Sequence, residues 1–254
     1  MRKYFHVLAL SVLAIQLLGA TSRTFNGTSD SINAGTATPI DNVFSNGGTA
    51  AVWIFGNNLG ENGTGRIIAK TSDTLGTSGW HLAAEDADNA RSYAFARGFS
   101  VSRGKWTTNA DTYISNRWNF ITITYNDGFI LNDPVIYING AAATVTEKVT
   151  PLGDPQDDNA QSLIIGNRSS ATEDRTWNGS IAYVQLFNVA LTANEILELY
   201  YTPFSVTRGL VYFAPLWENA TALDYSGNNA AGTISTPTAN QSSGPPIIAP
   251  RRFK

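Results

Sequence analysis

Short runs in which apolar and polar residues alternate recur along the chain, and a spacing of two marks them as strands. In Arg117 to Tyr125, RWNFITITY, the residues Asn119, Ile121, Ile123 and Tyr125 share one face. Trp118, Phe120, Thr122 and Thr124 take the other, and the β-branched and aromatic content suits a pleated, half-buried surface. Thr49 to Phe55, Arg66 to Lys70, Gly79 to Glu85 and Arg91 to Arg97 read the same way. In the last of these Tyr93, Phe95 and Arg97 fall on one face, and Asp86 to Asn89 forms a polar tip before it. Pro134 to Gly140 ends in Asn139-Gly140, a strong hairpin signal, and Ala141 to Val149 returns from it. Asn26-Gly27 predicts a further hairpin within Arg23 to Gly35, and a polar loop, Thr150 to Gln161, gives way to Ser162 to Asn167, SLIIGN.

Asn178 to Tyr201 breaks this rhythm. Ile181, Tyr183, Val184, Leu186 and Phe187 make a strand apolar on both faces, as a strand covered on two sides requires. Thr192 and Glu195 stand three apart, the spacing of a capping box, with Leu191 and Ile196 placed to close a hydrophobic staple. Pro203 ends the helix so started, because it cannot continue one. Many short strands with one short helix near residues 192–201 predict an all-β fold, a two-sheet antiparallel jelly-roll sandwich.

The wording of these segments resembles the laminin-G-like domains of the concanavalin A-like lectin and glucanase sandwich. The similar parts are GSIAYVQLFNVALTANEI from Gly179, the Trp118 to Tyr125 strand, the Val135 to Gly140 hairpin arm, Ile165-Gly166-Asn167 and the opening around Phe25. Ala182 and Tyr183 stand where such domains carry an acidic pair, so the resemblance lends no carboxylate to that strand. It covers residues 23 to 201. Arg208 to Ser235 is similar to the segment that in such domains precedes the opening strand, so the tail is expected to fold back into that place. The alternatives are the start of a second repeat or a strand donated to a neighbouring subunit. The expected division is therefore a leader over 1–20, the jelly roll over 21–204, a strand extension over 205–235 that completes the same domain, and an irregular tail over 236–254.

Composition narrows the function. Residues 1–20 combine Arg2 and Lys3 with an apolar run and a small-residue end, which reads as a cleaved secretory signal, against a membrane anchor or amphipathic helix. A secreted or cell-surface location follows, with no membrane span after cleavage. Removal of the signal takes the formal charge from −3 to −5 and argues against a nucleic-acid partner. Cysteine is absent, which excludes disulfides, thiolate metal sites and cysteine nucleophiles.

The candidate chemistry is sparse. Glucanases on this sandwich place carboxylates at every second position of one strand, and no such run exists here. Glu85-Asp86-Ala87-Asp88 reads as a solvated hairpin tip, and His81 beside Trp80 as a structural histidine. Calcium is the one cofactor left open. Asp154, Asp157, Asp158 and Asn159 form its candidate ligand set, against a plain solvated acidic loop, and many laminin-G-like domains bind calcium at the sandwich rim.

Sugar binding needs aromatic faces with polar companions. Trp53, Trp118 and Trp217 fall in strand patterns and are assigned to the core, and Trp177 to packing. Trp80 and Trp106, with Tyr93, Arg91 and Arg168, are the candidate ligand-binding residues. The expected function is a secreted non-catalytic recognition module that binds carbohydrate or a protein surface through rim loops. The alternative is a structural or adhesive subunit of a virion, tail or cell-surface assembly, self-associating as a homo-oligomer. A glycoside hydrolase is disfavoured by the missing carboxylate pattern.

Overall fold

Among the described residues, the strand-like segments of the sequence form fifteen strands in two antiparallel sheets. The computed structural model describes residues 22–71, 78–87, 90–168, 174–217, 221–228, 230, 232–234 and 244–247. The expected leader, part of the Asp86 to Asn89 tip and most of the expected irregular tail lie outside the described residues. Among the described residues, no helix is long and apolar enough to cross a membrane.

The first sheet has seven strands: β1 (Arg23–Asn26), β3 (Gly48–Gly56), β8 (Trp118–Tyr125), β9 (Val135–Ile138), β10 (Ala141–Ala142), β13 (Asn178–Phe187) and β14 (Leu210–Ala214). Its order is β1-β13-β3-β8-β9-β10, with β14 also on β13. The second has eight: β2 (Ile32–Asn33), β4 (Thr64–Thr71), β5 (Gly79–Ala87), β6 (Ala90–Arg97), β7 (Gly104–Thr108), β11 (Val145–Val149), β12 (Ile164–Ile165) and β15 (Thr233–Ile234). Its order is β11-β7-β6-β5-β4-β12-β2-β15. This is the two-sheet sandwich that the alternation predicts, with one α-helix among the described residues, α1 (Ala193–Tyr201).

Between the sheets lies the main core, which includes Phe25, Val52, Ile54, Leu82, Phe95, Ile121, Ile123, Ile181 and Leu186. A second cluster packs α1 through Ile196 and Leu199 against Trp53, Phe120, Ala182, Tyr183 and Phe187 on the other face of the seven-stranded sheet. β13 is apolar on both faces because both are covered, one by the opposite sheet and one by the helix. The helix begins as its sequence dictates. Thr192 Oγ1 accepts from the Glu195 N–H at 3.3 Å, and Glu195 Oε2 accepts from the Thr192 N–H at 2.7 Å.

The C-terminal segment touches both sheets. β14 pairs with β13 over Val184–Phe187, while β1 holds β13 over Asn178–Ile181, so two short strands share one edge. Where they meet, Tyr183 takes a left-handed φ of 50° and its N–H donates to the Pro215 carbonyl at 3.2 Å. That bulge lets the consecutive residues Ala182 and Tyr183 both face the helix layer. Further on, β15 pairs with β2. Trp217, assigned from its strand pattern to the core, is 38% exposed, because the chain leaves the sheet after Ala214.

Candidate functional site

The seven-stranded sheet is covered by α1 on its outer face, but the outer face of the eight-stranded sheet is built differently. Alternation in β5 sends Trp80, Leu82 and Ala84 into the core, and so turns His81, Ala83 and Glu85 outward. The pairing registers extend this pattern across the sheet. Ala69, His81, Ala96 and Lys105 form one cross-strand row, and Arg66, Ala83, Ala94 and Thr107 the next. Small side chains therefore recur across this face, and Ala96 is the alanine that lines the space enclosed by the long charged ones. The result is a cleft of about 460 Å³, within the usual size of small-molecule sites.

One wall is Asn62, Gly63 and Thr64, with Arg175 beside them. Hydrogen bonds hold that wall: the Glu61 N–H donates to the Thr176 carbonyl at 2.9 Å, and the Arg66 N–H to the Arg175 carbonyl at 2.8 Å. Arg103 and Lys105 line the other side. Lys105 Nζ lies 2.7 Å from Glu85 Oε1, which neutralises that carboxylate. Glu85 is thus buried in an ion pair, and not part of a solvated tip as its neighbours in sequence suggest.

The cleft is cationic although the chain is acidic overall. Arg66, Arg103, Lys105 and Arg175 line it with Glu85 and Asp86, and Asp174 lies 3.3 Å from Arg175 beside it. Burial pulls the Arg66 guanidinium down to about 9; Glu85 opposes this shift and Arg175, Arg168 and Arg103 add to it. His81 is held well below the ordinary histidine value, first by burial and then by Arg66, Arg103 and Lys105, so it is neutral in the cleft at physiological pH.

The residues singled out from sequence are placed elsewhere, with one exception. Trp80, Tyr93 and Trp106 are within 1% of complete burial and belong to the main core. Trp80 packs edge-on to Phe44 at 5.2 Å, Tyr93 against Tyr113 at 5.6 Å, and Trp106 stacks on Phe95 at 6.1 Å. Their burial removes these three rings from any surface site. Arg91 lies over the Tyr113 ring, 5.4 Å from its centroid, and donates to Ser115 Oγ at 3.3 Å. Arg168 is a partial exception: it does not line the cleft, its Nε lies 2.7 Å from Asp174 Oδ1, and its charge reaches Arg66, which does line it.

The candidate calcium ligands are engaged otherwise. Asp158 is buried and its Oδ1 lies 3.0 Å from Lys70 Nζ, with Asp41 Oδ1 at 2.9 Å on the same ammonium. Lys70 also donates to the carbonyls of Asp158 at 2.6 Å and Gln161 at 2.9 Å. A lysine ammonium thus sits among four oxygens, where it meets the charge and the lone pairs a cation would meet. Asp157 Oδ1 accepts from Asn42 Nδ2 at 3.0 Å, and Asp154 and Asn159 are exposed. Among the described residues, no three histidine or acidic side chains are grouped to hold a metal ion.

Comparison with known proteins agrees with this architecture. The sequence profile of the concanavalin A-like lectin/glucanases superfamily, in its laminin G form, matches residues 26–197. No curated protein matches the chain. The crystal structure of a candidate carbohydrate-binding protein from Bacteroides ovatus superposes with a TM-score of 0.61 at 20% identity, covering 89% of this chain and 62% of that one. This chain therefore spans less than two thirds of that protein's length. A heptameric SAP-like pentraxin from Limulus polyphemus gives a TM-score of 0.52 at 15% identity, over 71% of this chain and 82% of the pentraxin. At such identities the likeness concerns the fold, and the profile carries the family: with two antiparallel sheets, one short capped helix and this match, the chain belongs to the concanavalin A-like lectin/glucanases superfamily.

Proposed function

We propose that the protein is a non-catalytic recognition module that takes a glycan in the cleft on the outer face of its eight-stranded sheet. The observation that carries this reading is an open cleft on that face, floored at Ala96 and ringed by polar and charged side chains from β4, β5 and β7 and from the loops beside them. The open space above Ala96 leaves room for a sugar ring, and the surrounding donors suit its hydroxyls. Hydrolysis would need two free carboxylates on either side of a bond. Here Glu85 is neutralised by Lys105, and Asp86 is its neighbour in the chain. The solved Bacteroides ovatus structure of similar fold is described as a candidate carbohydrate-binding protein, which supports the reading by analogy of fold. A secreted or cell-surface location accords with the leader-like start of the sequence.

The test is a glycan array probed with the intact protein and with Thr64→Trp, which fills the cleft from its wall. Binding by the wild type and its loss in a variant that still unfolds at the wild-type temperature is the expected result. Undiminished binding by Thr64→Trp would place the site elsewhere.

A second reading, a structural or adhesive subunit, is favoured by one separate observation. Phe204, Trp217 and Tyr225 are 45%, 38% and 48% exposed and touch one another at ring distances of 5.6 to 6.1 Å. Aromatic patches of this kind mark contact surfaces. Light scattering after size exclusion separates the readings: a monomer at micromolar concentration goes against self-assembly.

A further inference from the structure

We propose that the glycan taken in this cleft carries an oxyanion, a uronate-type carboxylate or a sulfate ester, and that Arg66 receives it. The inference rests on the reading of the cleft as a glycan site and adds the chemical class of the ligand.

Arg66 carries the argument. Its side chain is 7% exposed, it lines the cleft, and its Nε is buried with no hydrogen-bond partner. Among the described residues it forms no ion pair. Two other buried cations, Lys70 and Arg97, are matched by carboxylates. Lys70 faces Asp41 and Asp158, and Arg97 Nε lies 2.7 Å from Asp127 Oδ2. An unmatched buried charge is costly to keep, so a fold that places one at the bottom of an open cleft has left room for its counter-ion. Glu85, the acid that acts on Arg66, is engaged with Lys105. The other cations of the cleft, Arg103 and Arg175, add positive potential at the same point.

The shape limits what the anion belongs to. A cleft of about 460 Å³ is far larger than an inorganic ion needs. The small Ala96 and the Asn62 and Thr64 wall suit a ring with hydroxyls, and the guanidinium fork matches two oxygens of a carboxylate or sulfate on that ring. Neutral His81 can exchange a hydrogen bond with a sugar hydroxyl without adding charge.

The experiment is a glycan array with paired probes: uronic-acid and sialic-acid oligosaccharides beside their methyl esters, and sulfated oligosaccharides beside their desulfated forms. Wild-type protein is expected to bind the charged member of a pair and not the neutral one. The carboxylate and sulfate arms show which oxyanion is preferred. Arg66→Met is expected to lower affinity for the preferred probe at least about 30-fold, the loss typical of removing one partner from a buried charge pair. Equal binding of charged and neutral members would overturn the inference while leaving the glycan-binding reading intact. Binding of no probe would overturn both. Wild-type affinity in Arg66→Met would also overturn the inference, and if that variant fails to fold, the ester comparison on the wild type decides alone.

Discussion

Replacing Lys70 with methionine tests whether a buried ammonium organises the loop beside the cleft sheet. Its Nζ, with no exposure, is held by Asp41 Oδ1, Asp158 Oδ1 and the carbonyls of Asp158 and Gln161, at 2.6 to 3.0 Å. Methionine keeps most of the apolar stem but removes the charge and all its donors. Two carboxylates, with 16% and 1% of their side chains exposed, then face each other without a cation. Breaking a buried pair in this way costs roughly 3–5 kcal/mol. For a chain of this size that lowers Tm by about 6–20 °C, since 1 kcal/mol moves Tm by roughly 2–4 °C. Urea denaturation of the wild type, Lys70→Met, Asp158→Asn and the double variant measures both the loss and its origin. The double variant should be less destabilised than the sum of the singles by at least about 1.5 kcal/mol, because the second change removes a charge that the first left stranded. A loss below about 1 kcal/mol for Lys70→Met, or strictly additive effects, would refute the reasoning.

Three further outcomes follow from the same geometry. Because Lys70 already fills the oxygen cluster at Asp158, millimolar calcium chloride should leave the Tm of the wild type unchanged, and a clear rise would show a metal site that these contacts do not account for. The Arg208 guanidinium and the Thr192 N–H hold the Glu195 carboxyl at about 2, below the roughly 4.3 of an unfolded chain. This depressed value stabilises the fold above pH ~4.3, and the gain disappears as pH falls through 2. Glu195→Gln should therefore cost about 1 kcal/mol at pH 7, discounted for the half-exposed Arg208 partner, and almost nothing at pH 2. Ending the chain at residue 204 strips β14 from β13 and removes Tyr212, Leu216 and Ala222 from the main core, so soluble protein should be lost; a well-folded truncated monomer would contradict it.

What the sequence made legible was local. The capping box of Thr192 and Glu195, the Asn139-Gly140 turn with both residues at positive φ, and the two-faced apolar β13 depend on neighbours a few residues apart. The candidate site depends on which face of each strand turns inward, and alternation alone does not settle that. Tyr93 and Phe95 were placed on one face, but only the opposite sheet decides that this face is the core. The aromatic residues sought as ligand platforms fill that core, and the cleft belongs to the outward-facing residues between them, among them Arg66, His81, Glu85 and Ala96. Arg66 and Arg175 are more than a hundred residues apart and meet because the residue 175 segment hydrogen-bonds to the start of β4. Small residues alternating with aromatics in β5 and β6 were the available signal for a hollowed outer face.

The central claim is that ligand enters the cleft over the eight-stranded sheet. Titrating isotope-labelled protein with the best-bound array glycan and following backbone amide shifts tests it most directly. Saturable shifts centred on Arg66, His81, Ala96 and Lys105 are the predicted result, and shifts confined to Phe204, Trp217 and Tyr225, with the cleft unmoved, would contradict it.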